Sequence, residues 1–104
     1  MAIVYTTGSW RPFAGQEEAF VERWSEFSAW ASGFPGAGRA VLARDVRDTE
    51  RFVSFVVWDS WEAMRAWKDS PEFKERMGRV QQHVDKFAPT EIEVVAECED
   101  GVTL

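Results

Sequence analysis

Residues 51–73, RFVSFVVWDSWEAMRAWKDSPEF, decide the fold of this chain. The run Arg51–Trp58 is rich in β-branched and aromatic residues and predicts a strand covered on both faces. Asp59 or Ser60 is a good N-cap, and the spacing after them predicts a short helix over Trp61–Asp69. A further helix is predicted to open at Ser70, because a proline follows at the first helical position. A strand followed directly by a short helix and a further helix is the pattern from which the other elements are placed.

The elements on either side of this stretch complete a β-α-β-β-α-β order. Strands are predicted over Ala2–Trp10 and Arg39–Val46, with a helix over Gln16–Ser32 between them. The helix that opens at Ser70 is predicted to run to about Lys86, because Phe73, Met77, Val80, Val84 and Phe87 form an apolar stripe. A last strand is predicted over Thr90–Cys98. The order indicates an α+β, ferredoxin-like domain over 1–104, with helices on one face of a four-stranded antiparallel sheet and a frayed tail at 99–104.

Composition limits the classes of partner. The chain has 104 residues, a net charge of −6, six Trp and eight Phe. An acidic chain lacks the basic surface that nucleic acid requires, and no apolar run is long enough to span a membrane. The aromatic excess predicts a pocket or a subunit interface, and the two apolar faces of Arg51–Trp58 predict a homodimer. Cys98 is the only cysteine, so no internal disulfide is expected and the cytoplasm is the predicted location.

The motifs of the central stretch resemble the antibiotic-biosynthesis-monooxygenase-like family. The similar features are a strand ending at Trp58, a Glu62-Ala63 helix, an Ala66-Trp67 pair and the Ser-Pro-Glu-Phe sequence at 70–73. The Gly-Phe-Pro-Gly sequence at 33–36 fits the same pattern, and the resemblance covers roughly residues 3–97. It implies a dimeric α/β-barrel with a cavity between helices and sheet. Some members oxygenate aromatic precursors without metal or flavin, and others bind and degrade haem.

The haem branch of the resemblance implies residues that this chain lacks. Members of that branch carry an Asn near the end of the first strand, where this chain has Thr6 and Thr7. They also carry a His about ten residues after the Trp that matches Trp67, and here that position is Met77. Haem is therefore disfavoured and no cofactor is expected. A metal site is not expected either, because the single His and the single Cys are fifteen residues apart.

Two residues are candidates for catalysis and six for a ligand pocket. His83 is the only side chain that titrates near neutral pH without help, and Trp67 is the aromatic residue that the resemblance favours. The predicted pocket consists of Trp24, Phe27, Trp58, Phe73, Met77 and Val80. For His83 a boundary position without chemistry is the competing interpretation, and for the tryptophans it is core packing. If His83 and Trp67 act together, they must line one shared cavity.

Two functions follow from these residues. The first is a cofactor-independent monooxygenase for a flat aromatic or phenolic molecule, in which Trp67 positions the ring and His83 assists proton transfer. The second is a non-catalytic dimer of the same fold that binds a small molecule. The fold alone does not choose between them.

Overall fold

The computed structural model describes residues 3–98, which form one antiparallel sheet and three helices. The elements are β1 (Val4–Pro12), α1 (Glu17–Ala31), β2 (Ala37–Arg44), β3 (Phe52–Trp58), α2 (Trp61–Lys68), α3 (Phe73–Gln81) and β4 (Val84–Glu93). The strand order in the sheet is β2-β3-β1-β4, and all neighbours are antiparallel. The predicted α+β, ferredoxin-like class is confirmed. No helix within residues 3–98 has the length and apolar character needed to cross a membrane.

The core lies between the helices and one face of the sheet. Alternate residues of β1 and β3 are buried, as expected for strands with one face against helices. Trp58 is fully buried and its ring lies 4.9 Å from that of Trp67 on α2. Phe20 on α1 meets Phe52 on β3 edge-to-face at 5.4 Å. These contacts place α1 and α2 on the same face of the sheet.

The predicted helix start at Ser60 is confirmed, and the one at Ser70 is wrong. The Ser60 hydroxyl accepts a hydrogen bond from the backbone N–H of Ala63 at 3.0 Å, which caps α2. The Ser70 hydroxyl instead donates to the carbonyl oxygen of Trp67 at 2.8 Å. Ser70 therefore closes the end of α2, and α3 begins at Phe73.

The predicted bounds of the last helix and the last strand are also wrong. The helix ends at Gln81, and β4 begins at Val84, so the last two members of the apolar stripe belong to a strand. Phe87 pairs with Trp10 of β1, and their rings stack at 3.9 Å. Pro89 is tolerated inside β4 because this strand lies at an edge of the sheet. β4 ends at Glu93, which pairs with Val4 of β1, so residues 94–98 of the predicted strand are not part of it. The predicted fraying of 99–104 lies outside the described residues.

The loop between β2 and β3 is organised around one carboxylate. Asp45 accepts hydrogen bonds from the backbone N–H groups of Arg47 and Asp48 at 2.9 and 3.1 Å. It also pairs with Arg51 at 3.0 Å. The two backbone N–H groups, with Arg51 as a smaller cause, lower the pKa of Asp45 below its usual value.

We expect the stabilising effect of Asp45 to disappear in acid. Since the pKa of Asp45 is lower in the folded chain than in the unfolded chain, ionised Asp45 favours folding above the unfolded pKa of about 4. That contribution is lost as the pH falls through the lower, folded pKa. Asp45→Asn should therefore be less stable than the parent near neutral pH, and the difference in free energy of unfolding should shrink below about pH 4.

Denaturant unfolding at a series of pH values measures this difference. Glu50→Gln is the matched control, because Glu50 is an exposed acid in the same loop whose carboxylate forms no ion pair or hydrogen bond with the described residues. If the difference in free energy of unfolding between Asp45→Asn and the parent stays constant with pH, the stabilising role of ionised Asp45 is contradicted.

Candidate functional site

A cavity of about 200 Å³ lies between the sheet and the three helices. Its apolar wall comes from all three helices and from β1, β3 and β4. The aromatic lining residues are Trp10, Trp24, Phe27, Trp67, Phe73 and Phe87. An apolar cavity of roughly 150 Å³ holds benzene, so this one suits one ring or two fused rings. Gln81 and Pro89 are exposed residues of the lining and mark the side on which the cavity reaches solvent.

Trp67 is held by aromatic contacts on several sides. Trp58 stacks on it, and Phe73 meets it nearly at right angles with ring centroids 4.9 Å apart. Phe27 lies 5.5 Å from it in a tilted arrangement. Edge-to-face and offset contacts of this kind fix ring orientation and add to the energy of burial. Trp67 is therefore a rigid part of the cavity wall.

Two buried polar atoms of the cavity wall have no hydrogen-bond partner among the described residues. They are Nε1 of Trp67 and Oγ of Ser28, and both residues line the cavity. Trp67 is only 3% exposed. A buried N–H without an acceptor costs roughly 1–3 kcal/mol, and buried polar groups in native proteins are nearly always paired.

Five of the predicted site residues line this cavity and three do not. Those that do are Trp24, Phe27, Trp67, Phe73 and Met77. Trp58 and Val80 are buried in the core outside the lining, because Trp58 stacks against Trp67 and Val80 is 1% exposed among the packed core residues.

His83 lies outside the cavity lining, in the turn between α3 and β4. Its Nδ1 is 2.9 Å from Oε1 of Gln16, the residue that precedes α1. Its carbonyl oxygen accepts from the backbone N–H of Phe13 at 2.9 Å. His83 and Trp67 therefore do not share the cavity. His83 is not positioned to act as a base for a ligand in the cavity, because α3 ends at Gln81 and the His83 ring contacts Gln16 at the start of α1.

The polar residues of the cavity were not predicted. Thr6 and Ser54 lie on β1 and β3, face the helices and are 8% and 5% exposed. A signal for both exists in the sequence, since each is a hydroxyl residue on the strand face that otherwise carries Val4, Phe52 and Trp58. Ser28 and Trp10 also line the cavity.

Two features of the cavity disfavour a haem group. The cavity volume of about 200 Å³ is below the roughly 300–1,000 Å³ of pockets that hold drug-sized ligands. A haem is larger than most drug-sized ligands. His83, the only histidine of the sequence, is outside the lining. Within residues 3–98, no group of three or more His, Cys, Asp or Glu side chains is placed to hold a metal ion.

Comparisons with known proteins agree with this architecture. The family model for antibiotic biosynthesis monooxygenase matches residues 3–79, and the chain belongs to that family. The fold is similar to that of SnoaB, a cofactor-independent oxygenase from Streptomyces nogalater, with 17% identity, a TM-score of 0.82 and coverage of 91% of this chain and 95% of that one. Among curated proteins, none matches the sequence.

Two further solved structures share the fold. A proposed antibiotic biosynthesis monooxygenase from Chloroflexus aurantiacus has 24% identity and a TM-score of 0.73, over 95% of this chain and 99% of that one. Another proposed member, from Deinococcus radiodurans, has 14% identity and a TM-score of 0.80, over 92% and 96%. At these identities the similarity establishes the fold alone.

Proposed function

We propose that this protein is a cofactor-independent monooxygenase that oxidises a flat aromatic molecule of one or two rings inside the cavity. Family membership supports the reaction class, and the cavity volume supports the ligand size. The observation that carries the proposal is that Trp67, a residue of the cavity lining, has a buried N–H with no acceptor among the described residues. A phenolic or carbonyl oxygen of the ligand provides that acceptor, and the aromatic wall covers the ring.

The proposed reaction needs no external reductant. With 1-naphthol as an example, an aromatic C–H becomes C=O and the phenol becomes a second C=O. One atom of O₂ enters the product, 1,4-naphthoquinone, and the other leaves as water together with the two hydrogens that the substrate loses. The substrate supplies all the electrons. The protein orients the ring, excludes water and stabilises the charge that develops on the ring oxygen.

Two residues take the roles that their positions allow. Trp67 positions the substrate, because its ring is fixed by Trp58 and Phe73 and its N–H has no partner among the described residues. His83 is given a structural role, because its ring nitrogen meets Gln16 and so joins the α3–β4 turn to the start of α1.

A non-catalytic binding protein is the second candidate. The observation that favours it is that no Asp, Glu or His is found among the described residues of the cavity lining. A ligand held there would meet no carboxylate or imidazole that could remove a proton. Binding without turnover is then the expected behaviour of the site.

Oxygen consumption separates the two candidates. The protein is incubated with 1-naphthol, and with smaller phenols and hydroquinones, in the presence of a metal chelator and without added flavin or haem. The monooxygenase predicts consumption of one O₂ for each naphthoquinone formed, at a rate proportional to protein concentration. Saturable binding of these compounds without O₂ uptake favours the binding protein and contradicts the monooxygenase.

We propose that the sheet face opposite the helices joins two copies of the chain. Residues of β3 and β2 that are paired across the sheet, Phe55 with Val41 and Val53 with Ala43, lie on this face. Phe55 is 39% exposed, and Ile92 on β4 is 45% exposed. An open apolar sheet face of this kind is usually covered by a partner, and a second copy covers it with a self-complementary surface.

A charge at the centre of this face is expected to abolish the dimer. Phe55→Glu would place a carboxylate against the equivalent face of the partner. The carboxylate would lose its hydration and meet apolar groups, which destabilises the dimer. Sedimentation or light scattering should report a monomer. Val46→Glu is the matched control, because Val46 is 89% exposed in the β2–β3 loop, and this variant should stay dimeric. A dimer that survives Phe55→Glu contradicts the assigned face.

We also propose the cytoplasm as the location. Cys98 is exposed and is the only cysteine of the sequence, so the chain has no internal disulfide to keep oxidised. Chains without disulfides are common in reducing compartments such as the cytoplasm.

A further inference from the structure

The helix-facing side of β1 carries one residue without a side chain. The residues that alternate along this face are Val4, Thr6, Gly8 and Trp10, and all four are buried. Thr6 lines the cavity, and so does Ser54, the residue of β3 that pairs with Gly8. The bare backbone at Gly8 would therefore be open floor of the cavity if nothing lay above it.

Two aromatic rings lie over Gly8. A Cβ built on Gly8 would be 2.7 Å from Nε1 of Trp10 and 2.9 Å from Cε1 of Phe87. These distances are too short for any side chain, so the two rings occupy the space that the glycine leaves. Phe87 is the β4 residue that pairs with Trp10, and the two rings stack at 3.9 Å with 21° between their planes.

Trp10 leans along β1 instead of standing over its own position in the sheet. Its pairing residue on β3 is Phe52, but its Nε1 donates to Oγ of Ser54 at 2.9 Å, which is opposite Gly8. Trp10 is 3% exposed, and its ring lies 5.3 Å from that of Phe20 on α1. A buried hydrogen bond and ring contacts on two sides fix the indole in this leaning position.

An aromatic group stands at each end of the cavity. The Trp10–Phe87 pair lines one end, and Trp67, which stacks on Trp58, lines the other. Trp58 pairs with Val4 at the start of β1, whereas Trp10 lies near the end of that strand, so the sheet holds the two groups apart. A flat ligand that lies along the sheet therefore has a fixed length available to it.

We propose that the Trp10–Phe87 pair, which lies over Gly8, sets the length of the cavity and restricts its ligand to at most two fused rings. The inference rests on the proposed function in one respect, namely that the cavity is the ligand site. Protein interiors are close-packed, so a third ring in line with the first two needs the space that the pair occupies. Phe87 is the part of the pair that can be removed most safely, because it is only partly buried and lies on an edge strand.

A series of aromatic alcohols of increasing length tests the restriction. Phenol, 2-naphthol and 2-anthrol have one, two and three rings in line, and their dissociation constants are measured under nitrogen by equilibrium dialysis. We expect the parent to bind 2-naphthol about tenfold or more tightly than 2-anthrol. In Phe87→Ala the binding of 2-anthrol should tighten by about tenfold or more, whereas that of 2-naphthol should change by less than about threefold.

Phe34→Ala is the matched control for this variant. Phe34 is also a partly buried phenylalanine beside a tryptophan, since it meets Trp30 edge-to-face at 5.1 Å, but it is not part of the cavity lining. This variant should keep the preference of the parent for 2-naphthol. Thermal unfolding checks that both alanine variants are folded, and unchanged binding of 2-anthrol by folded Phe87→Ala overturns the proposal.

Gly8→Ala tests the same pair from the opposite direction. The added methyl group would push the two rings away from the sheet and into the cavity, because it meets Trp10 and Phe87 at less than the distance that side chains allow. We expect the binding of 2-naphthol to weaken about tenfold and that of phenol to change by less than about threefold. Should Phe87→Ala fail to fold, unchanged binding of 2-naphthol by Gly8→Ala overturns the proposal.

The outcome is separable from that of the proposed function. Dialysis under nitrogen involves no oxygen, so it reports on binding alone. Equal binding of 2-naphthol and 2-anthrol by the parent overturns the length limit, and oxygen uptake with 1-naphthol would still support the monooxygenase. The expected size preference without oxygen uptake supports the length limit and contradicts the monooxygenase. Failure of the parent and of Phe87→Ala to bind any of the three alcohols overturns the length limit as well.

Discussion

Trp67→Phe is expected to lower the rate of oxygenation by about ten- to hundredfold while the chain still folds. Phenylalanine keeps an aromatic ring among Phe27, Trp58 and Phe73 but removes the buried N–H. A hydrogen bond to a charged oxygen contributes roughly 1.5–3 kcal/mol, and each 1.4 kcal/mol is a factor of ten in rate. Oxygen uptake at low substrate concentration, where kcat/KM is measured, gives the size of the loss.

Trp30→Phe is the matched control for this variant. Trp30 lies 6.5 Å from Trp67 between ring centroids but is not part of the cavity lining, so the same chemical change is made outside the site. Its kcat/KM should stay within a few-fold of the parent. Thermal unfolding of both variants checks that the Trp67 variant remains folded. Equal activity in Trp67→Phe and the parent would remove Trp67 from the proposed mechanism.

Gly36→Ala is expected to have the largest effect on stability, about 3 kcal/mol. Gly36 has a φ of +86°, a region that side-chain-bearing residues adopt at a cost of about 1 kcal/mol. A Cβ at this position would also lie 2.5 Å from Oδ1 of Asp59 and 2.6 Å from Cβ of Ala63. Relief of such an overlap costs a further 1–3 kcal/mol or so, because the start of α2 must move. Denaturant unfolding measures the total.

Gly15→Ala separates the two contributions. Gly15 has nearly the same φ, +85°, but nothing lies within 4 Å of a Cβ built there. Its alanine variant should lose only the backbone part, about 1 kcal/mol. Equal losses in the two variants would mean that the contact between residue 36 and α2 contributes nothing.

The sequence was sufficient for the fold because its local signals agree with the final contacts. The apolar run of β3 and the Ser60 cap lie where the pattern predicted them, and they fix the order of the central elements. The end of α3 was not predictable in this way. Val84 and Phe87 continue a helical spacing, but pairing of β4 with β1 gives Phe87 a partner in Trp10, and this distant contact decides the structure.

The candidate site was predicted only in part, because helical spacing is a local signal and the remaining contacts join distant residues. Helical spacing placed Phe27, Phe73 and Met77 toward the interior, and those three line the cavity. Helical spacing also carried His83 toward that interior, although α3 ends at Gln81 and the ring lies beside Gln16. The hydroxyls of Thr6 and Ser54 are visible in the sequence, but their bonds to Trp58 and Trp10 join residues 52 and 44 positions apart. Those partners become evident only once the strands are paired.

Oxygenation in the cavity without a cofactor can be followed with isotopically labelled oxygen. The chelated protein is incubated with 1-naphthol under ¹⁸O₂, and the product is examined at once by mass spectrometry. We expect a naphthoquinone that carries one heavy oxygen, in an amount that falls with Trp67→Phe and not with Trp30→Phe. Unlabelled product, or product that forms equally without the protein, would contradict it.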